Sequence, residues 1–309
     1  MSRHKRRQRR AGAATTPVAR APQTERDARG RVHLVLRRDP AGGGESVALR
    51  APLFREPWQD ELSVGTANTA RAILRDAPSA ERAVELARTA MTATSRLADA
   101  LLAQAPAGSV ACKAGCDHCC HQPVGVTPPE ALAIAAHLRQ TMTQPELAAL
   151  GQRFSRCRQE TRGLSSAERF SPDHPCPFLV HGECSIYEVR PLACRGMNSL
   201  DAQECKSRLR DPVARAEFLE RGSGGRSFME PIRAFHAVSA GLQLGLAELY
   251  GLDMRPLELT AALDLLLNGP ATSVADWLDG KRAFESALGG DSAVPEPSTG
   301  LEPEPGEHS

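Results

Sequence analysis

Aromatic side chains are scarce in this chain. Eight Phe, two Tyr and two Trp serve 309 residues, and none interleaves with basic residues near the cysteines, as a stacking platform for single-stranded nucleic acid would require. Long apolar runs are missing as well. No stretch reaches the roughly 18 consecutive apolar residues of a transmembrane helix, and Ala-Gly-Ala-Ala-Thr-Thr-Pro after Arg10 is too polar and too short for the apolar region of a secretory signal. A cytoplasmic protein without membrane contact is therefore expected. No phosphate-binding loop is present either, because Gly42-Gly-Gly44 lacks the Lys-Ser/Thr that would follow it, and no serine or cysteine triad can be singled out.

Cysteine, by contrast, is crowded. Cys112, Cys116, Cys119 and Cys120 fall within nine residues, and Cys176, Cys184, Cys194 and Cys205 follow. In a reducing compartment such thiols are read as ligands or redox groups rather than disulfides. Thiolates suit zinc and iron, and their mutual repulsion is offset when a cation sits among them. Gaps of two or three residues let a loop fold back on one ion. The first set supplies Cys112, Cys116 and Cys119, with Cys120 free to point to the same centre, to a second one or into the core. The second set can complete a tetrahedron, so eight thiols could close two four-thiolate sites or hold one iron-sulfur cluster. The ninth, Cys157, stands alone in a charged helical pattern and is read as a plain residue. His118, His121, His174 and His181 lie near enough in sequence to count as alternative ligands.

The ends look unfit for a core. Residues 1–31 carry ten Lys or Arg against two acids, and residues 288–309 carry five acids and neither Lys nor Arg. Residues 1–30 are expected to be a disordered basic tail able to touch a polyanion, and 289–309 a disordered acidic tail. Between them, 31–288 are expected to form a mainly helical domain with little β structure, containing an irregular, metal-stapled cysteine region at 108–207. Val32–Leu36 and Val47–Leu49 could pair as a hairpin. Apolar spacing predicts helices over Ser79–Gln104, from Pro128 after a Thr127/Glu130 capping box, over Pro145–Glu160, through Ile232–Leu249 to a stop at Gly251, and over Leu257–Leu267. One or two further turns are expected between Val274 and Leu288.

Cys112-x3-Cys116-x2-Cys119-Cys120, then Cys176-Pro-Phe-Leu, Gly182-Glu-Cys184-Ser-Ile-Tyr187-Glu-Val-Arg190-Pro-Leu-Ala-Cys194-Arg195, resembles the cysteine-cluster family named for its CxxCxxCC signature and held to chelate zinc or iron. The resemblance implies a metal-chelating domain, with iron, zinc or an iron-sulfur centre as cofactor. It marks Cys112, Cys116, Cys119, Cys120, Cys176, Cys184 and Cys194 as the family cysteines, with Cys205 at a looser position. The first gap here is three residues where the signature has two. The residues before about 105 and after Arg210 lie outside the motif.

The other roles rest on charge. Four thiolates around a divalent ion leave about two negative charges, which gives Arg190 and Arg195 a reason to stand beside the sulfurs as charge partners. Tyr187 could pack on the cysteine loop or donate its hydroxyl, and Pro191 fixes a turn between Cys184 and Cys194. The leading expectation is a metal centre that knits the cysteine region to a helical body and presents a surface to a protein partner. The alternative is an iron-sulfur or non-haem iron oxidoreductase or protein-modifying enzyme, with Asp117, Glu183 or Glu188 as acid or base. Cys112-x3-Cys116-x2-Cys119 also has the spacing with which radical enzymes hold a cluster, but the chain lacks their βα units. Nucleic acid would be met only through the basic tail.

Overall fold

The computed structural model describes residues 23–26, 32–38, 47–52, 54, 56–75, 77–106, 108–113, 115–220 and 226–288. The two expected tails lie outside these residues, apart from Gln23–Arg26, and so does any contact of the basic tail with nucleic acid. The chain divides into two compact units, 1–52 and 53–309.

In the first unit, β1 (Gln23–Arg26), β2 (Val32–Arg38) and β3 (Val47–Pro52) form an antiparallel sheet in the order β1-β2-β3. The expected hairpin is present, with Leu36 opposite Leu49. The third strand, with Gln23 opposite Val35, corrects the expectation that this part of the tail lacks structure.

The second unit is helical. α1 (Pro57–Leu74) starts with Pro at its first turn and buries Ser63, Ala67, Ala70 and Leu74, which recur four, three and four apart. α2 (Ala80–Leu102) begins where the Ser79 hydroxyl accepts the Arg82 N–H at 3.3 Å, and α3 (Pro128–Thr141) begins at the Thr127/Glu130 capping box. α4 (Gln144–Glu160) has a second such box at Thr143/Glu146. α5 (Ser166–Arg169), α6 (Leu192–Gly196), α7 (Ala202–Arg210) and α8 (Pro212–Glu220) are short and divide the cysteine-rich half. α9 (Met229–Tyr250) ends at Gly251 with φ +62°, followed by α10 (Leu259–Asn268) and α11 (Ser273–Leu278).

One sequence expectation is corrected here. Leu257 and Glu258 do not open a helix. They form a strand opposite Gly125–Val126, because the segment leaving the first cysteine loop needs partners for its own backbone, and the Leu259 N–H goes to the Val124 carbonyl at 2.9 Å. The Glu258 side chain then caps α10 by accepting the Ala261 N–H at 2.8 Å.

α9 runs through the middle of the unit and sets the spacing of its neighbours. A Cβ at Gly241 would run into the Ser63 carbonyl of α1, and one at Gly245 would come within 3.1 Å of the Ala67 Cα. Small residues on both helices thus bring two backbones together, and dispersion contacts replace a leucine stripe. On another side, α6 approaches α9 so closely that a Cβ at Gly196 would overlap the Phe235 ring. The core joins these helices through Leu242 and Leu246 of α9, Leu86 and Met91 of α2, Ile134 of α3 and Phe154 of α4. Burying each such side chain contributes about 1.5–3 kcal/mol. Phe178, which sits between Cys176 and Cys184 in sequence, meets Phe154 edge-on with ring centroids 5.0 Å apart. The cysteine segment is therefore anchored to α4 by an aromatic pair.

Candidate metal centre

The first cysteine set lies in the connection from α2 to α3. Gly115 adopts φ +78°, a conformation that costs a side-chain-bearing residue but not glycine, and the turn closes with the Cys116 N–H on the Lys113 carbonyl at 3.1 Å. Cys119 and Cys120 then occupy a short 3-10 turn, His118–His121. The second set is carried by three different elements. β5 (Leu179–Val180) and β6 (Glu183–Cys184) make a minimal hairpin whose two turn residues, His181 and Gly182, have φ +51° and +80°. Two positive φ values are what a two-residue turn needs to match the strand twist. Cys194 lies in α6 and Cys205 in α7.

Two backbone ties join the sets. The Cys176 N–H donates to the Cys120 carbonyl at 2.7 Å, and the Ala111 N–H to the Ser199 carbonyl at 2.8 Å. Ser199 returns its own N–H to the Cys112 sulfur at 3.3 Å. All nine cysteines are free thiols.

The thiols sense one another in two neighbourhoods. Burial pushes the Cys194 thiol well above its ordinary value, and the charges of Cys176, Cys119 and Cys184 push it further, against a lowering by Arg190. Cys176 is pushed up to about 12 by burial first, with Cys184 adding to it. Cys119 is raised by its hydrogen bond with the Cys120 thiol and then by burial, while Arg190 lowers it. Cys184 is raised by burial and lowered by Arg190. These four form one group, in which Arg190 acts on Cys119, Cys184 and Cys194 and Arg169 on Cys176. Cys112, exposed as a residue but with its sulfur crowded by protein atoms, is raised by that crowding and also by Cys116, Cys119 and Cys205. The last of these is met by the Arg208 guanidinium at 3.4 Å, one helical turn later.

Convergence stops short of coordination. Among the described residues no three Cys, His, Asp or Glu side chains are grouped so as to hold a metal ion. The expectation of a thiol cluster at 108–207 is thus met as a gathering of cysteines within one region and corrected as to a formed coordination sphere. The donor chemistry suits zinc or iron, since the gathered groups are unoxidised sulfurs.

The histidines are placed apart from the thiols' roles. His121 is 7% exposed, its Nδ1 lies 3.2 Å from the Ser171 carbonyl, and burial lowers its pKa. His118 Nδ1 is 3.4 Å from the Asp117 carboxylate without hydrogen-bond geometry. His174 offers its carbonyl to Arg169, and His181 serves the hairpin turn. Cys157 is buried in α4 with Arg169 Nη2 3.7 Å from its sulfur.

The Arg190 charge lowers Cys119, Cys184 and Cys194, and its guanidinium carbon lies 4.2 Å from the Tyr187 ring centroid. Tyr187 is itself 63% exposed. Arg195 differs. Its Nε donates to the Arg190 carbonyl at 2.9 Å, one Nη to the Glu188 carbonyl at 2.6 Å and the other to the Ser95 hydroxyl of α2. Its hydrogen bonds go to two carbonyls and a hydroxyl, while its charge also lowers the Cys184 thiol. Glu130, read from sequence only as a helix cap, also reaches across: one oxygen accepts from Thr127 N and Oγ1 at 2.8 Å, the other from the Leu192 N–H at 2.8 Å. The turn that presents Cys194 is therefore held by α3 through Glu130 and by α2 through Arg195.

No curated protein and no solved structure matches the chain. Residues 111–211, the segment that holds all eight clustered cysteines, match the family CxxCxxCC, described as "Putative zinc- or iron-chelating domain".

Proposed function

We propose that the chain is a metal-chelating protein in which Cys119, Cys176, Cys184 and Cys194 hold one zinc or iron centre, with Cys112, Cys116, Cys120 and Cys205 available to a second centre or to an iron-sulfur cluster. The observation that carries the reading is the backbone bond from the Cys176 N–H to the Cys120 carbonyl, which ties the two sets of free thiols together, with the Arg190 charge lowering Cys119, Cys184 and Cys194. When bound, the metal supplies a positive charge that replaces the thiol protons. The chain's own residues do the rest: Arg190 offsets thiolate charge, and Glu130 and Arg195 hold the turn that carries Cys194. The role we assign is structural, because the four sulfurs come from three separate segments, packed on α4 and α9 through Phe178 and Phe235.

A protein partner fits the same region. Of the five exposed large apolar side chains among the described residues, Val180, Tyr187 and Met197 belong to the cysteine segment, and exposed aromatic and methionine side chains favour protein contact over solvent.

The test is metal and acid-labile sulfide content of protein purified without oxygen and without added metal. Zinc without sulfide supports the structural reading, and iron with sulfide moves it toward the oxidoreductase alternative. Metal-free protein that also fails to take up zinc or iron would sink the proposal. Cys194→Ser should lose the bound metal, whereas Cys157→Ser should keep it.

A further inference from the structure

A cavity of about 150 Å³ opens against the inner thiols. Cys119 and Cys194 contribute to its wall, and the remainder comes from the loop before α3, from α6 and from α9. Its volume is that of an engineered apolar cavity that admits a benzene-sized molecule. Val124, Leu192, Met197 and Phe235 make much of the lining apolar, and Gln122, Ser239 and Gln243 supply neutral hydrogen-bonding groups. That mixture is the usual character of a small-molecule site.

The lining is also uncharged where it meets a ligand. No Lys or Arg lies among the residues that form it, and its acid, Glu130, is 1% exposed with both oxygens already accepting hydrogen bonds. His236, on the α9 face of the cavity and edge-on to Phe235 with centroids 4.2 Å apart, has its pKa lowered by burial, which disfavours a positive charge there. An anion would meet no cation there and a cation no available carboxylate, so either would lose hydration without compensation.

The geometry points to a binding site for a small uncharged molecule, of aromatic-amide size and polarity, enclosed by α6, α9 and the loop before α3. That the occupant meets the metal centre rests on the proposed assignment of Cys119 and Cys194 as ligands, whereas its binding in the cavity does not. The site lies partly outside the 111–211 family segment, since Phe235, His236, Ser239 and Gln243 belong to α9.

Three probes of one shape and different charge test it: benzamide, benzoate and benzamidine, each added to the full chain as purified and followed by saturation-transfer NMR. Benzamide should bind, and the two charged probes should bind at least about tenfold more weakly, a difference of about 1.4 kcal/mol. Ser239→Leu, which places a larger side chain in the cavity, should weaken benzamide by at least the same factor, with Ser239→Val as the milder substitution if the first disturbs the circular dichroism spectrum. No benzamide signal from folded protein, equal binding of the charged probes, or undiminished binding in a folded filled variant each overturns the site. Cobalt substitution separates the two readings. Thiolate-to-cobalt absorption that shifts on adding benzamide places the ligand at the centre. Unshifted bands with benzamide bound overturn that contact while the metal assignment stands. If no thiolate bands form, the metal assignment fails, and the NMR comparison still decides the cavity.

Discussion

Arg195 shows that a single side chain can carry more than the role that composition suggests. Beside a cysteine it reads as a thiolate partner, and its charge lowers the Cys184 thiol, but it is also 8% exposed and spends its donors on two carbonyls and a hydroxyl. Arg195→Ala strands those acceptors and should lower unfolding stability by about 3 kcal/mol, read from urea denaturation. If the side chain served mainly the sulfurs, the same substitution would change thiol reactivity and leave the unfolding midpoint in place. Asp264 contributes to the pH dependence of stability. Burial alone would raise its carboxyl, but Ser155, Asn268 and Arg158 donate to it and outweigh that, so its pKa lies below the ordinary value. The native state then binds fewer protons than the unfolded state, and the contribution is complete above about pH 4 and lost as pH falls through the depressed value. Asp264→Asn should flatten the acid limb of the melting temperature against pH and cost about 1–2 kcal/mol at neutrality. The bond from Arg195 to Ser95 and that from Leu192 to Glu130 were not legible in the sequence, because the partners lie 100 and 62 residues away.

At the scale of elements, what was legible is what local chemistry dictates. Ser79, the Thr127/Glu130 box and Gly251 mark helix ends by hydrogen bonding that no distant partner can alter, and the apolar spacing of α2, α4 and α9 supplied the rest. α1 escaped notice because its buried face is Ser63, Ala67, Ala70 and Leu74, small residues whose burial makes sense only opposite Gly241 and Gly245. α7 and α8 were missed because each has only nine residues, too few for periodicity to stand out. The glycines of the cysteine region yield a paired prediction. Gly196→Ala drives a methyl group toward the Phe235 ring and the Pro231 carbonyl, which should cost about 1–3 kcal/mol by overpacking and lower metal content by displacing Cys194. Gly182→Ala faces open space but holds φ +80°, so it should cost about 1–2 kcal/mol and disturb only the hairpin of Cys184. Thermal unfolding with metal analysis of the two variants distinguishes crowding from backbone strain.

For the whole molecule, metal uptake should couple to protons and to order. Cysteine thiols are mostly protonated at neutral pH, so binding by four of them should release close to four protons in weakly buffered solution, and affinity should fall as pH falls. Removing the metal should raise amide exchange in both cysteine sets together, while α1 and α9, which meet each other through their own glycine and alanine contacts, stay protected. Exchange that rises in one set alone would mean that the sets do not share a centre. The two backbone bonds, Cys176 to Cys120 and Ala111 to Ser199, give this coupling a further meaning. They fasten the segments by amide groups, so an ion caught by a first sulfur already faces the others at high effective concentration. Much of the loop-closing entropy is then met by folding rather than by the metal, and the chain should capture ions as a preassembled chelator and release them slowly.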